Sequence, residues 1–267
     1  MKEERLFLLS EVSFGYDLKK PTLYVPHLEI QSNQLIFVVG VSGIGKSTFL
    51  EGLGLMNDTI LSGGCWYSNG TITDLNAIWK SEDKVISKFR EDNYSFIFQD
   101  TNLMPNFSVG ENMGMGMMMN GQSLIEVKPK LLEWMEKADL PLSIFDRHIS
   151  EISGGQRQRL AFIRGVCQNF EVLFGDEPTG NLDKITTFKV MSLLKELLVK
   201  SNKTGIIVSH DLELALSLGD VILPILPSEP ALLSQENQWT RNNNDWYTKN
   251  EKVVDPITKI TQILSHI

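Results

Sequence analysis

The run Gly40-Val41-Ser42-Gly43-Ile44-Gly45-Lys46-Ser47 has the form GxxxxGK[ST]. A backbone that curls this tightly turns successive N–H groups into one concavity, and glycines keep side chains from filling it. Phosphate oxygens suit such a cradle. Lys46 is expected on the β- and γ-phosphates of a nucleoside triphosphate, the Ser47 hydroxyl on Mg²⁺, and the amides through Thr48 on the α- and β-phosphates. The metal also needs a carboxylate at the end of a neighbouring strand, and Val172-Leu173-Phe174-Gly175-Asp176-Glu177 supplies one. Asp176 fits the metal's water shell; Glu177, on the opposite side of an extended backbone, could polarise an attacking water as general base. A third group, Ser153-Gly154-Gly155-Gln156, reads as a capping box that opens a helix. Its two glycines leave free amides at the positive helix end, which makes a second phosphate site. One nucleotide cannot easily meet both sites from one subunit, so a dimer with shared sites is the economical arrangement.

These groups must be held by particular elements. Leu35-Ile36-Phe37-Val38-Val39 is an apolar run suited to a strand buried on both faces of a parallel sheet, and Lys46 to about Met56 suits a helix. Strand, loop and helix in that order aim the helix N-terminus at the phosphates. Alternation through Leu6, Leu8, Val12, Phe14, Tyr16, Leu28 and Ile30 predicts a small antiparallel sheet beside the site. Leu131, Leu132, Trp134, Met135 and Ala138 carry helical periodicity within about 100–165. Residues from about 60 to 93 read as surface loop and turn leading into a charged helix around Glu82 to Arg90. No long internal repeat is visible.

Composition narrows the class. A chain of 267 residues can bury a large core in one compact unit. With 25 basic and 33 acidic residues the net charge is −8, which argues against broad nucleic-acid binding. Cys65 and Cys167 have no metal-ligand spacing and, without a signal peptide, read as free thiols in a reducing cytoplasm. No apolar run reaches the roughly 20 residues that span a bilayer, so a membrane-spanning subunit is expected to be a separate polypeptide.

With these motifs in this order, residues 5 to 225 resemble the ATP-binding cassette (ABC) ATPase family. The resemblance implies an α/β P-loop NTPase fold: a mostly parallel core sheet, an antiparallel β subdomain and a helical subdomain at about 100–165. It also implies roles for four further residues. Tyr16 resembles the aromatic on which adenine stacks. Gln99, ending Phe96-Ile97-Phe98-Gln99, resembles the glutamine that senses Mg²⁺ and the attacking water. Asp183, in Gly180-Asn181-Leu182-Asp183, matches the loop that reaches across the dimer, and His210 matches the switch histidine on the γ-phosphate. Ser153 and Gly155 would touch the γ-phosphate held by the other subunit. Without the other motifs, Tyr16 reads equally as a strand aromatic, Gln99 as a loop polar group and His210 as a strand-end histidine.

The family resemblance implies ATP and Mg²⁺ as ligands, a homodimer or pseudo-dimer of ATPase subunits, and a separate transmembrane permease. It places the protein in the cytoplasm, peripheral on the inner face of the cell membrane, with no nucleic-acid partner. The motifs around Gln99, Ser153 and Glu177 are most similar to the bacterial lipoprotein-release, macrolide-export, antimicrobial-peptide-resistance and cell-division group. A soluble ABC ATPase acting on nucleic acid or ribosomes is the alternative. It is disfavoured by acidic charge, a single GKS motif, and too short a gap between Lys46 and Ser153 for a coiled-coil insertion.

Two segments are not absorbed by these motifs. Glu111 to Met119 holds five of the ten methionines and reads as core filler or, by the resemblance, as the groove for a short permease helix, with Phe107, Met113 and Met115 as contacts. Gly114 and Gly116 should weaken a helix there. After residue 225, a divergent tail (226–267) carries Trp239, Asn242-Asn243-Asn244, Trp246 and Tyr247 in a polar stretch that reads as a linker. It ends in a short amphipathic helix: Asp255 as N-cap, Pro256 first, and Ile257, Ile260, Leu264 and Ile267 on one face, expected to dock on the chain's own core.

Overall fold

A computed structural model of the protein describes residues 4–249 and 251–265; Ile267 lies outside them. The chain begins β1 (Arg5–Phe14), β2 (Leu23–Gln31), β3 (Leu35–Val39), α1 (Lys46–Leu53), β4 (Ile60–Ser68), β5 (Ile72–Asp74), α2 (Leu75–Trp79) and α3 (Asp83–Asn93). Next come β6 (Tyr94–Ile97), α4 (Val109–Met119), α5 (Leu124–Lys137), α6 (Gly154–Val166), β7 (Val172–Asp176), α7 (Lys184–Ser201), β8 (Thr204–Ser209) and α8 (Leu212–Leu218). The final elements are β9 (Val221–Pro224), β10 (Ala231–Leu232), β11 (Trp239–Asn242), β12 (Asp245–Tyr247) and α9 (Pro256–Ser265).

Two sheets result, in the orders β10-β2-β1-β4-β5 and β12-β11-β9-β3-β8-β7-β6. In the second, β9, β3, β8, β7 and β6 are parallel. All five residues of β3 are buried, as a central strand covered on both faces requires. Its side chains alternate: Ile36 and Val38 join Phe7, Phe14, Phe49 and Phe174 between the sheets, whereas Leu35, Phe37 and Val39 join the core under the helices. The helical region is α4, α5 and α6, with Leu131, Trp134, Met135 and Ala138 buried as their spacing predicts.

Three expectations change. Residues 60–68 form a strand of the antiparallel sheet, with Cys65 and Tyr67 in the core. Its alternation is broken in sequence because Gly63, at φ 87°, faces Glu11, at φ 54°, in a bulge between β1 and β4. A Cβ on Gly63 would lie 2.2 Å from the Glu11 carbonyl oxygen. The helix through the methionines forms despite Gly114 and Gly116, because the Ser108–Glu111 capping box starts it and packing continues it. A Cβ on Gly116 would press to 2.5 Å from the Gln168 side chain. The polar tail is no linker: β11 and β12 form a hairpin that extends the core sheet past β9, burying Trp239 and Trp246. Helix α9 docks on the chain's own core through Ile260 and Leu264, as expected.

Candidate functional site

The phosphate loop joins β3 to α1, and its glycines answer to geometry. Gly45 occupies the N-cap position at φ 110° and Gly43 turns at φ 77°, conformations that L side chains resist. Around Gly43 nothing among the described residues lies within 4 Å of a built Cβ, so the loop's outer side is open to them. Val41, Ser42 and Ser47 are exposed, Ile44 is half-buried, and Gly40 is buried where a Cβ would meet Ile44 at 2.9 Å. Helix α1 has no side-chain cap and no acidic residue in its first turn, which leaves its N-terminal amides and partial positive charge for an anion.

Lys46 lies within this cradle, its Nζ donating to the carbonyls of Gly40 at 2.9 Å and Val41 at 3.0 Å. Burial lowers its pKa, while the negative charges of Glu177 and Asp176 oppose that shift. Asp176, at the end of β7, has a raised pKa: burial dominates, a hydrogen bond with Ser47 acts against it, and neighbouring Glu177 and Glu51 add to it. A carboxylate that is uncomfortable when charged, with a serine hydroxyl beside it, fits a site completed by a cation. Thr48 is buried at the next position.

Glu177 does not continue the strand. Its φ is +44°, so the side-to-side alternation of an extended chain does not place it; a left-handed turn after Asp176 does. The turn is fixed by the Glu177 N–H donating to Val208 at 3.0 Å and by Gly180 donating to the Glu177 carbonyl at 3.1 Å. It brings Glu177 Oε1 to 3.1 Å from Nδ1 of His210, which follows β8. Gln99 lies against the same turn, its Cγ 3.7 Å from a Cβ built on Gly180. General-base and histidine candidates, far apart in sequence, thus meet at the sheet edge where open α/β sheets bind ligands, with the glutamine candidate against the turn that positions them.

Tyr16 is exposed, and its hydroxyl donates to Glu51 Oε2 at 2.5 Å; Asn57 Nδ2 donates to the same oxygen at 3.1 Å. The tether belongs to α1, one turn beyond Ser47. Sequence reading missed Glu51 because a charge on a helix ordinarily reads as a solvated face.

Ser153 forms the predicted capping box: Gln156 N–H donates to its Oγ at 3.2 Å, and its own N–H donates to Gln156 Oε1 at 2.9 Å. Among the described residues, nothing lies near a Cβ built on Gly154, and one on Gly155 would meet only Leu182, at 3.6 Å. Among the described residues no hydrogen bond links this segment to the phosphate loop. Asp183 caps α7, accepting from the N–H groups of Ile185 and Thr186 at 3.0 Å each, and its pKa is lowered by those bonds, Thr186 foremost.

Two residues of α6 not singled out from sequence join these parts. Gln158, fully buried, donates to the Pro178 carbonyl at 2.6 Å and accepts from Asn181 at 3.4 Å. Arg164 donates to the carbonyls of Thr101 at 2.6 Å and Asn102 at 2.8 Å. Helix α6 therefore grips the segments that follow both Glu177 and Gln99. Polar side chains along an otherwise apolar helix were the available signal.

A separate groove of about 580 Å³ runs between α3, β6 and α4, lined in part by Met56, Arg90, Phe96, Phe98, Gly116 and Met119. Met113 is buried at 1 % exposure and belongs to the core, not to this surface, because it faces the packed side of α4; Met119, at 82 %, is the exposed methionine of that helix. Buried Asn112 pins the preceding loop, accepting from Met104 N–H at 2.8 Å and donating to the carbonyls of Met104, Phe107 and Ser108.

Residues 24–180 match the family described as ABC transporter. The lipoprotein-releasing system ATP-binding protein LolD of Pseudoalteromonas translucida is 37% identical over 194 residues, covering 73% of this chain and 80% of that protein. The uncharacterized ABC transporter ATP-binding protein MJ0796 of Methanocaldococcus jannaschii is 31% identical over 213 residues, covering 78% and 88% of the two chains. A dimeric structure of the MJ0796 cassette superposes with a TM-score of 0.76 at 28% identity, covering 89% of this chain and all of that one. A second dimeric MJ0796 structure, in a post-hydrolysis state bound to ADP and Pi, gives a TM-score of 0.74 at 26% identity with the same 89% coverage of this chain.

Proposed function

The chain belongs to the ABC transporter family as an ATP-hydrolysing cassette, and from that premise we propose how its residues divide the work. The observation that carries the proposal is the Glu177–His210 contact, held at the sheet edge next to the uncapped N-terminus of α1. The phosphate-loop amides from Gly40 to Thr48 bind the triphosphate, and Lys46 turns from the loop carbonyls to the β- and γ-phosphates. Ser47 and Asp176 would hold Mg²⁺ with Gln99 nearby; when bound, the ion offsets charge on phosphate oxygens. Glu177 orients water and accepts its proton, and His210 steadies that carboxylate and the γ-phosphate. Tyr16 carries the adenine.

Ser153, Gly154, Gly155 and Gln156 complete the site of a second subunit. In that arrangement ATP closes a homodimer or pseudo-dimer, Asp183 lies at its seam, and hydrolysis reopens it. The relatives' names support a permease partner, and the groove between α3, β6 and α4 is the place for a short permease helix. No helix among the described residues is long and apolar enough to cross a membrane. From the relatives' names we place the cassette on the cytoplasmic face of the membrane, driving a lipoprotein-release-type transporter or mechanotransmission complex.

Glu177→Gln tests this reading. The amide can hold water but cannot take its proton, so hydrolysis should fall by about 10²–10⁴ while ATP binding persists. Light scattering with ATP and Mg²⁺ should then show an accumulated dimer. A variant that stays monomeric at saturating ATP, or hydrolyses at the wild-type rate, would remove Glu177 from this role.

A further inference from the structure

His210 is exposed and carries the switch role with little side-chain packing of its own: its Nδ1 lies 3.1 Å from Glu177 Oε1, and its side chain is 70% exposed. Its position is therefore set by backbone. On one side that backbone is β8, paired to β3 and β7. On the other it is α8, whose N-cap Asp211 is the next residue and accepts from the Leu214 N–H at 2.9 Å. A seven-residue helix is too short to hold itself, so what fixes α8 fixes the histidine.

The C-terminal tail does much of that fixing. The last carbonyls of α8 have no partners within the helix. Arg241, on β11, donates through both terminal nitrogens, to the carbonyl of Ser217 at 2.8 Å and to that of Leu216. Trp246, on β12, donates from Nε1 to the same Leu216 carbonyl at 3.3 Å, and its ring lies 5.2 Å from the guanidinium. The Arg241 backbone N–H donates to the Asp220 carbonyl at 2.9 Å. Lys195 closes the set from α7, donating to the Leu218 carbonyl at 2.6 Å and pairing with Asp220 at 2.7 Å. Two cations thus meet the negative end of α8. Arg241 Nε is buried with no hydrogen bond among the described residues, an energetic cost the fold accepts in keeping the other two nitrogens on α8. Below, Ile260 and Leu264 of α9 share one core with Leu214, Ala215 and Leu218 of α8.

We propose that the tail is a buttress for the switch histidine: Arg241 and Trp246 are positioning residues that hold α8 by its C-terminal carbonyls and thereby hold His210 against Glu177. The proposal rests on the catalytic reading of His210 given above. It assigns a role to the segment that the phosphate and signature motifs leave unused.

The test uses the full chain with Arg241→Met, which keeps bulk and loses every donor, Arg241→Lys, which can satisfy one carbonyl, and Trp246→Phe, which loses only the indole N–H. Amide exchange reads the clamp directly, because local opening exposes only the segment released. In Arg241→Met, protection over 212–218 should drop by about tenfold while the amides of β3 and β7 keep theirs. At saturating ATP, kcat should fall by about five- to tenfold with the ATP KM within about twofold, since misplacement far from the chemistry costs rate rather than binding. Arg241→Lys should recover part of both losses, and Trp246→Phe should show a smaller loss of each. Unchanged exchange over 212–218 would overturn the clamp, as would a loss of protection spread evenly over the chain. Released α8 with an unchanged kcat would overturn the link to His210. A wild-type chain without ATPase activity would instead overturn the functional reading, and the exchange measurement would still decide whether the tail holds α8.

Discussion

Asp176 and Tyr16 show how much a single side chain's surroundings decide. The Asp176 pKa is raised, chiefly by burial, so the native state holds that proton more tightly than the unfolded chain does. Stability from this group is then greatest at low pH and is lost as pH climbs through the window above the ordinary value of 3.8. Asp176→Asn should accordingly raise the melting temperature of the nucleotide-free protein by a few degrees at pH 7. That gain should shrink as pH falls toward 4, and Mg²⁺ with ATP should stabilise the wild type more than the variant. A gain that is constant with pH would rule out the buried-charge explanation. Tyr16 is a different case, an exposed ring whose freedom the Glu51 carboxylate removes before any base arrives. Glu51→Ala and Tyr16→Phe should each raise the ATP KM by about three- to tenfold, a hydrogen bond's worth of affinity, with kcat unchanged. The double variant should lose no more than either single one; additive losses would show that the two do not act together.

Helix α4 shows what spacing reveals and what it hides. The methionine run is legible as a surface-or-core question, but the answer depends on which side of α4 packs, and Gly110, Gly114 and Gly116 hide the stripe because they carry no side chain. The structure turns Met113 inward and Met119 outward. Met113→Glu should therefore cost about 3–5 kcal/mol, as an unpaired buried charge does, and should abolish folding or activity. Met119→Glu should leave the melting temperature and basal ATPase near wild type but release the cassette from a co-expressed permease in detergent extracts. Retention of the complex in Met119→Glu would move the docking surface elsewhere. Other elements were legible to different degrees. Strand β3, helix α1 and the Ser153 cap follow from local sequence alone, because burial on both faces and capping chemistry leave clear patterns. Strand β4 does not, since the bulge at Gly63 interrupts its alternation. The hairpin of β11 and β12 was present as two tryptophans flanking an asparagine-rich turn, with Asn243 at φ 54°, a conformation asparagine tolerates. Its polar composition masked it, because the outer strands of a sheet bury only part of their side chains.

At the scale of the whole molecule, the two helix ends proposed to bind phosphate, those of α1 and α6, are not joined by a hydrogen bond among the described residues. Motif order in the sequence was enough to raise the shared site, but geometry across subunits is not written in one chain. Within this chain α6 instead grips the segments that follow Glu177 and Gln99, through Gln158 and Arg164. On the proposed shared site, a helix so linked would couple Ser153 to the turn that carries Glu177. Mixing two defective proteins tests the sharing. Lys46→Ala loses charge-assisted contacts worth about 1.5–3 kcal/mol, and Ser153→Arg places a bulky cation on the open signature glycines. In a heterodimer of the two, one site combines intact Lys46 with intact Ser153, and the other combines both lesions. Activity should reappear on mixing, up to about a quarter of wild type in an equimolar, randomly paired mixture if the sites act independently and less if they are coupled. Recovery should depend on protein concentration as dimerisation does. Strong activity in Ser153→Arg alone, or no recovery at any ratio while differently tagged subunits co-purify as mixed dimers, would contradict a shared site.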